Sequence, residues 1–386
     1  MRKSNLESQP LLKRENNFDF IRLFAAVCVM VYHAVHHMDL QFLWVTKGSD
    51  FWFKDGVETF FIMSGMLVYY SYQRSVEKNR PISHYYINRF LRVAPAIYVY
   101  AIIITIILVV IEAIDFSEIM SVEFIAWAIS NIFLIPVYHP NIFSEFGVGV
   151  LNGSLWTIPV EFSFYLIVPL IFILHRKFGF KLMISTLLLI WLGSYFISDL
   201  ENSQSIIEKL FNVTFVPYLL YFALGIAWGK YWNKAPQQGY IAIAALIIFF
   251  TLRFELITLG NDLIVTLMCA ITLSYLVLWF GNNGPLIFNK VTKVFGDLSF
   301  GAYIWHMVVV NLFIYFDIQS QLSGLNSNII LLMVFSITFI CAFLSWHLVE
   351  KQALKFKPYN SRNEINKELA KQSIAEENMA SQKTSQ

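Results

Sequence analysis

Charge is what this chain has least of. Asp, Glu, Lys and Arg make up 14% of its 386 residues, against about 25% in an ordinary soluble domain. Mean hydropathy is +0.58, so a soluble globular protein is excluded. Cysteine is equally scarce. Cys28, Cys269 and Cys341 all lie in apolar stretches, which excludes a disulfide framework. Such cysteines are usually packing residues, although Cys28, close to His33, has the alternative reading of a nucleophile. The sequence has no Cys/His metal spacing, Walker loop, G-x-S-x-G elbow or dinucleotide fingerprint. No metal site and no permanently bound cofactor are expected. No small-residue cleavage site follows the first apolar stretch, so it is not a cleavable signal. Nor is there a repeat between the two halves.

What the chain has in quantity is apolar surface: 57% hydrophobic residues, including 36 Phe and 10 Trp. Apolar stretches near the roughly 20 residues needed to cross hydrocarbon fall at 18–38, 56–73, 93–111, 154–174, 182–198, 214–231, 239–252, 262–280, 297–316 and 328–349. The stretch 121–137 is shorter and ends at Pro136. From Val93 to His175 there is no Lys or Arg. If 121–137 crossed, the next span would place His175, Arg176 and Lys177 outside. A re-entrant or surface-lying 121–137 instead puts every major basic cluster in the cytoplasm, as the positive-inside rule requires. Lys47, Lys54, Lys209 and Arg253 are the exceptions. The expected fold is therefore an all-α polytopic membrane bundle of about ten spans plus one re-entrant or interfacial segment, with both termini cytoplasmic. Residues 1–17 form a cytoplasmic segment, 18–350 the transmembrane domain and 351–386 a polar, disordered cytoplasmic tail. With a net charge of +2 and its bases confined to loops, the chain has the lipid bilayer as its medium and no nucleic acid as a partner.

Within the first stretch, Arg22 and His33 are eleven residues apart. Eleven steps of about 100° return to within roughly 20° of the start. Both side chains thus share one stripe, about 16 Å apart along the axis. Ionisable groups in a span mark a pathway or a reaction site. Arg89 and Arg92 would present two guanidinium forks from one helical face, a geometry suited to phosphate; the alternative is a plain positive-inside loop. Glu161, in the run from Ser154 to Phe162, lies near the depth inferred for His33. It is either the partner of a histidine base or a structural group beside Pro159. Glu58 opens the second span in Gly56 to Gly65. His306, in Gly296 to His306, is either a packing residue or part of a site.

In order along the chain, these segments resemble the acyltransferase 3 family of integral-membrane O-acyltransferases. Arg22 with His33 resembles its Arg-x10-His signature, and Gly56 to Gly65 its G-V-x-x-F-F-x-x-S-G block. Arg89 to Pro95 resembles R-x-x-R-x-x-P, Trp156 to Tyr165 resembles W-T-x-x-x-E-F-x-F-Y, and Ser299 to His306 resembles S-Y-x-x-Y-L-x-H, with departures at Phe300 and Trp305. The resemblance covers about 340 residues. It implies a bacterial cytoplasmic-membrane enzyme that moves an acyl group, most often acetyl, from cytoplasmic acyl-CoA to a hydroxyl of a surface or exported glycan. Many relatives carry a C-terminal SGNH-like domain that this sequence lacks, which points to completion in the membrane domain or by a separate partner protein. On this reading His33, Glu161 and Arg22 are catalytic, and Arg89, Arg92 and Arg22 bind the acetyl-CoA donor. Trp156, His306, Tyr303 and Glu58 bind substrate. The competing reading is a transporter or flippase of a lipid-linked sugar or anion, with the same residues lining a path.

Overall fold

A computed structural model describes residues 15–40, 51–200, 206–257, 260–322 and 326–358. Lys47, most of the amino-terminal segment and the polar tail beyond Pro358 therefore lie outside the described residues. Among the described residues every regular element is helical. Helices α1 (Phe18–Met38), α2 (Phe51–Glu77) and α3 (Ile82–Val110) are followed by short α4 (Val122–Ile132). Then come α5 (Thr157–Phe178), α6 (Phe180–Leu200), α7 (Ile206–Asn212), α8 (Leu219–Tyr231), α9 (Gly239–Arg253) and α10 (Asp262–Asn283). Helices α11 (Ile287–Phe295), α12 (Ser299–Tyr315), α13 (Ile318–Gln321) and α14 (Ser327–Ser345) follow, and the chain leaves α14 through a π-helical turn at Trp346–Glu350 and a short helical turn at Lys351–Ala353.

Among the described residues, six helical segments are long and apolar enough to cross a membrane: Phe18–Met38, Ile82–Val110, Gly153–Phe178, Phe180–Ile197, Asp262–Asn283 and Ser327–Phe356. The pair α11 and α12, bent by 70°, makes a seventh if it counts as one span. The expected ten exceeds this number for a physical reason. Helices α8 and α9 have 13 and 15 residues, or about 20 and 23 Å of rise against roughly 30 Å of hydrocarbon. Helix α2 is long enough but carries Lys54, Asp55, Glu58, Arg74 and Glu77. Helix α4, with 11 residues, cannot cross, in keeping with a surface-lying or re-entrant 121–137. It packs Phe124 and Trp127 inward and turns Val122, Ile125, Ile129 and Ile132 outward.

The outer faces of the long helices are apolar. Ile102, Val110, Leu170, Leu189, Leu332 and Leu348 are between 60% and 73% exposed. A belt of that kind is solvated by acyl chains rather than water, and the protein is an all-α polytopic membrane protein.

At the centre stands α12, buried on all sides from Ser299 to Asn311 apart from Phe300, as expected of a helix apolar all round. It packs against α1 and α14. Helix α2 crosses α8 at backbone contact. A Cβ on Gly65 would strike the Phe222 carbonyl, and one on Gly225 the Ile62 carbonyl. Two facing glycines allow that close approach. The irregular segment after α4 is pinned to α12 by asparagines. Asn311 donates to the Val150 and Leu151 carbonyls and accepts from Val148 N–H, and Asn152 donates to the Ile304 carbonyl at 2.7 Å. Non-helical backbone inside a bundle needs such partners. Arg253, an exception to the charge rule in the sequence, is ion-paired to the buried carboxylate of Asp55.

Candidate active site

The site begins at the end of the bundle where α2 turns into α3. A cavity of about 960 Å³ opens there. Its wall includes Arg74 from the last turn of α2, Lys78 and Arg80 from the α2–α3 turn, Arg89 and Arg92 from α3, and Lys357 from the segment after α14. Helix α1 adds Asp19 and Arg22, and Thr157, Glu161 and Tyr165 come from α5. Tyr303 from α12 lines it too. The mouth is thus basic, with the carboxylates of Asp19, Asp297 and Glu161 also in the wall, and the far wall carries the hydroxyls of Thr157 and Tyr303.

Two arginines that the sequence presents as a matched pair have different partners. Arg92 Nη2 is 2.6 Å from Asp297 Oδ2 and its Nη1 is 3.9 Å from Glu350 Oε2. Asp297 also lies 3.8 Å from Arg22, accepts from Ser299 Oγ at 2.6 Å, and so joins α1, α3 and the start of α12. Glu350, 2% exposed, accepts from Ser345 Oγ at 3.0 Å. The π turn that carries it leaves Trp346 against Gly296, where a Cβ would clash with the indole and φ is +90°. Arg89 instead lies over the rings of Tyr85 and Tyr165, with guanidinium carbon 5.6 and 5.5 Å from their centroids. Its Nε is buried without a hydrogen-bond partner, and among the described residues no carboxylate pairs with it. Lys357, outside the spans, has its ammonium pKa lowered to about 8, first by burial and then by neighbouring Arg92 and Arg89.

His33 lies beyond the cavity. Its Nδ1 is 3.0 Å from His306 Nε2, and the two rings stack with centroids 5.1 Å apart. His37 also stacks on His33, with ring centroids 5.7 Å apart. His306 is fully buried and its Nδ1 faces the Ala302 carbonyl at 3.2 Å. Between this pair and the cavity stands Tyr303, with its ring 5.9 Å from that of His306. The Tyr303 hydroxyl meets Thr157 Oγ1 and the Ser154 carbonyl, each at 2.8 Å.

The expected contact between Glu161 and His33 is not made. Helix α5 starts at Thr157, level with Tyr303, so Glu161 falls one turn toward the basic mouth. There it accepts a hydrogen bond from Tyr165 OH. Trp156 lies against Tyr218 with ring centroids 5.5 Å apart and the planes tilted by 38°, and half-buried Glu58 sits on α2 between Val57 and Phe60, which line the cavity. Neither is in the wall itself. The structure thus brings together Arg22, Arg89, Arg92, Glu161 and Tyr303 around one cavity, and His33 with His306 behind it.

Asp297 and Glu350 were missed by sequence reasoning. Asp297 has a legible signal, a carboxylate set between a glycine and an apolar span. Glu350 has none, because its meeting with Arg92 depends on the π turn.

The acyltransferase domain profile of the acyltransferase 3 family matches residues 15–347. The chain belongs to this family. It is 29% identical over 369 residues to Nodulation protein 10 of Rhizobium leguminosarum bv. viciae, covering 89% of this chain and 94% of that protein. It is 26% identical over 357 residues to an O-acetyl transferase of Shigella phage Sf6, covering 89% and 97%. Against the peptidoglycan O-acetyltransferase OatA of Listeria monocytogenes serovar 1/2a the identity is 25% over 383 residues, covering 90% of this chain and 58% of that protein. No solved structure matches. The family makes the cavity and the histidine pair the place to look for acyl transfer.

Proposed function

We propose that the protein is a membrane O-acyltransferase that takes an acyl group, acetyl in the first instance, from cytoplasmic acyl-CoA and places it on a hydroxyl of a cell-surface or exported glycan. The observation that carries this reading is the arrangement of a basic-mouthed cavity with an imidazole pair just past its far wall. The O-acetyltransferases among its relatives support the acetyl group and a glycan acceptor.

In this scheme the basic mouth faces the cytoplasm and holds the donor's phosphates. Arg89 is the main cation there, because its guanidinium has no carboxylate to neutralise it, and Lys357 assists. Arg92, already paired with Asp297 and Glu350, keeps the wall in shape. The pantetheine arm runs inward past Arg22, a path on the scale of the roughly 16 Å between Arg22 and His33. Passage of the thioester to His33 requires the Tyr303 hydroxyl to swing off Thr157. His33 then takes the proton of the acceptor hydroxyl as its oxygen attacks the thioester carbonyl. The C–S bond breaks, and the departing thiolate recovers that proton to leave as the thiol. Trp156 and Tyr218, beyond the cavity, offer aromatic faces for a sugar ring.

Mass spectrometry of envelope glycans tests the reading in a strain lacking the gene, complemented with the wild type or with His33→Ala. The wild type restores the acyl mass and the variant, inserted to the same level, does not. Glycans of unchanged mass in the deletion strain would remove the proposed activity.

A further inference from the structure

We infer that His306 is a positioning residue that fixes which ring nitrogen of His33 is basic. This rests on the reading of His33 as the base, but the geometry behind it stands apart from that reading. A backbone carbonyl can only accept, so at 3.2 Å from the Ala302 oxygen it is Nδ1 of His306 that carries a proton. His306 is fully buried, its neighbours are the Ala302 and Tyr303 backbone and the rings of His33, His37 and Tyr303, and among the described residues no carboxylate meets it to balance a charge. A charged ring in that setting is costly, so the ring is neutral and Nε2 presents a lone pair. That lone pair faces His33 Nδ1 at 3.0 Å. Two lone pairs do not meet at hydrogen-bond distance, so His33 Nδ1 must be the donor. The proton of neutral His33 is thereby held on Nδ1, and Nε2 is left with the lone pair that general-base catalysis uses.

The chain of bonds runs from His33 Nδ1–H to His306 Nε2, and from His306 Nδ1–H to the Ala302 carbonyl. When His33 Nε2 takes the hydroxyl proton, the resulting imidazolium keeps this bond and spreads its charge toward the carbonyl. An imidazole here does the orienting work that a carboxylate does in a catalytic triad. Unlike a carboxylate, it brings no charge into the bundle. Glu161, held by Tyr165 on the cavity side, is not needed for that work.

The test compares His306→Gln with His306→Leu. Glutamine keeps an acceptor for His33 Nδ1–H, whereas leucine fills the space and accepts nothing. Protein labelled with ¹⁵N-histidine in lipid nanodiscs reports which ring nitrogen is protonated, with the His33 signals assigned by their loss in His33→Ala. The expected result is an unprotonated Nε2 on His33 in the wild type and in His306→Gln, and a mixture of tautomers in His306→Leu. Turnover should fall about 10³- to 10⁴-fold in His306→Leu with donor KM unchanged, on the scale of losing the tautomer-fixing group of a triad. In His306→Gln it should recover to within about tenfold of the wild type. A proton on Nε2 of His33 in the wild type overturns the proposal even if neither variant folds. So does a His306→Leu protein whose His33 tautomer is unchanged. Full activity in His33→Ala would instead sink the reading of His33 as base while leaving the tautomer result standing.

Discussion

Arg89 and Arg92 stand three residues apart on one helix, and their neighbours give them different work. Replacing Arg89 with Gln removes an unneutralised cation from the cavity mouth. The expected outcome is a donor KM raised about 10- to 100-fold, the range for a charge-assisted contact worth about 1.5–3 kcal/mol, with thermal stability little changed. Replacing Arg92 with Gln takes the cation from the buried carboxylate of Glu350 and leaves half-buried Asp297 only its longer contact to Arg22. Breaking such a pair costs about 3–5 kcal/mol, so this variant should lose thermal stability in detergent while the folded fraction keeps its donor KM. The same titration across pH reads Lys357. Its pKa, lowered to about 8, leaves it charged below that pH and neutral above. Donor KM should therefore climb as pH rises through about 8, and Lys357→Gln should flatten that part of the profile. The sequence makes the arginine spacing legible but not this division, because the carboxylates that claim Arg92 lie 205 and 258 residues further along the chain.

At the scale of elements, long helices were legible wherever apolar residues ran without interruption. The sequence stretches 18–38 and 262–280 correspond closely to Phe18–Met38 and Asp262–Asn283. The stretches 214–231 and 239–252 also read as spans, but hydropathy cannot say whether the short α8 and α9 they correspond to cross or stop part-way. Nor can a one-dimensional charge rule see that Arg253, at the end of α9, is neutralised by Asp55 in the first turns of α2. That ion pair ties two helices together at a site where Asp55 is 3% exposed. Asp55→Asn leaves a half-buried guanidinium without its partner. The expected loss is about 3 kcal/mol, the lower end of the range for a broken buried pair. It should appear as a lower unfolding midpoint, and Asp55→Glu should recover part of it. An unchanged midpoint in Asp55→Asn would make the pair a mere neutralising contact.

For the whole molecule, the bundle gathers a basic cavity at one end and sets an imidazole pair, with His306 fully buried and His33 half-buried, behind a tyrosine. That separation suits a reaction whose donor and acceptor come from opposite sides. Five sequence blocks made the site's membership legible, because α1, α2, α3, α5 and α12 each bring one block toward the centre. Depth was not legible to the same degree. The start of α5 at Thr157, set by the turn at Gly153–Trp156, shifts Glu161 away from His33, and no periodicity records it.

The most direct measurement seals acetyl-CoA with a labelled acetyl group inside proteoliposomes and follows label onto a glycan acceptor outside. The account predicts transfer by the wild type and none by His33→Ala, with equal amounts of folded protein in the two membranes. Equal transfer by the two proteins would contradict it.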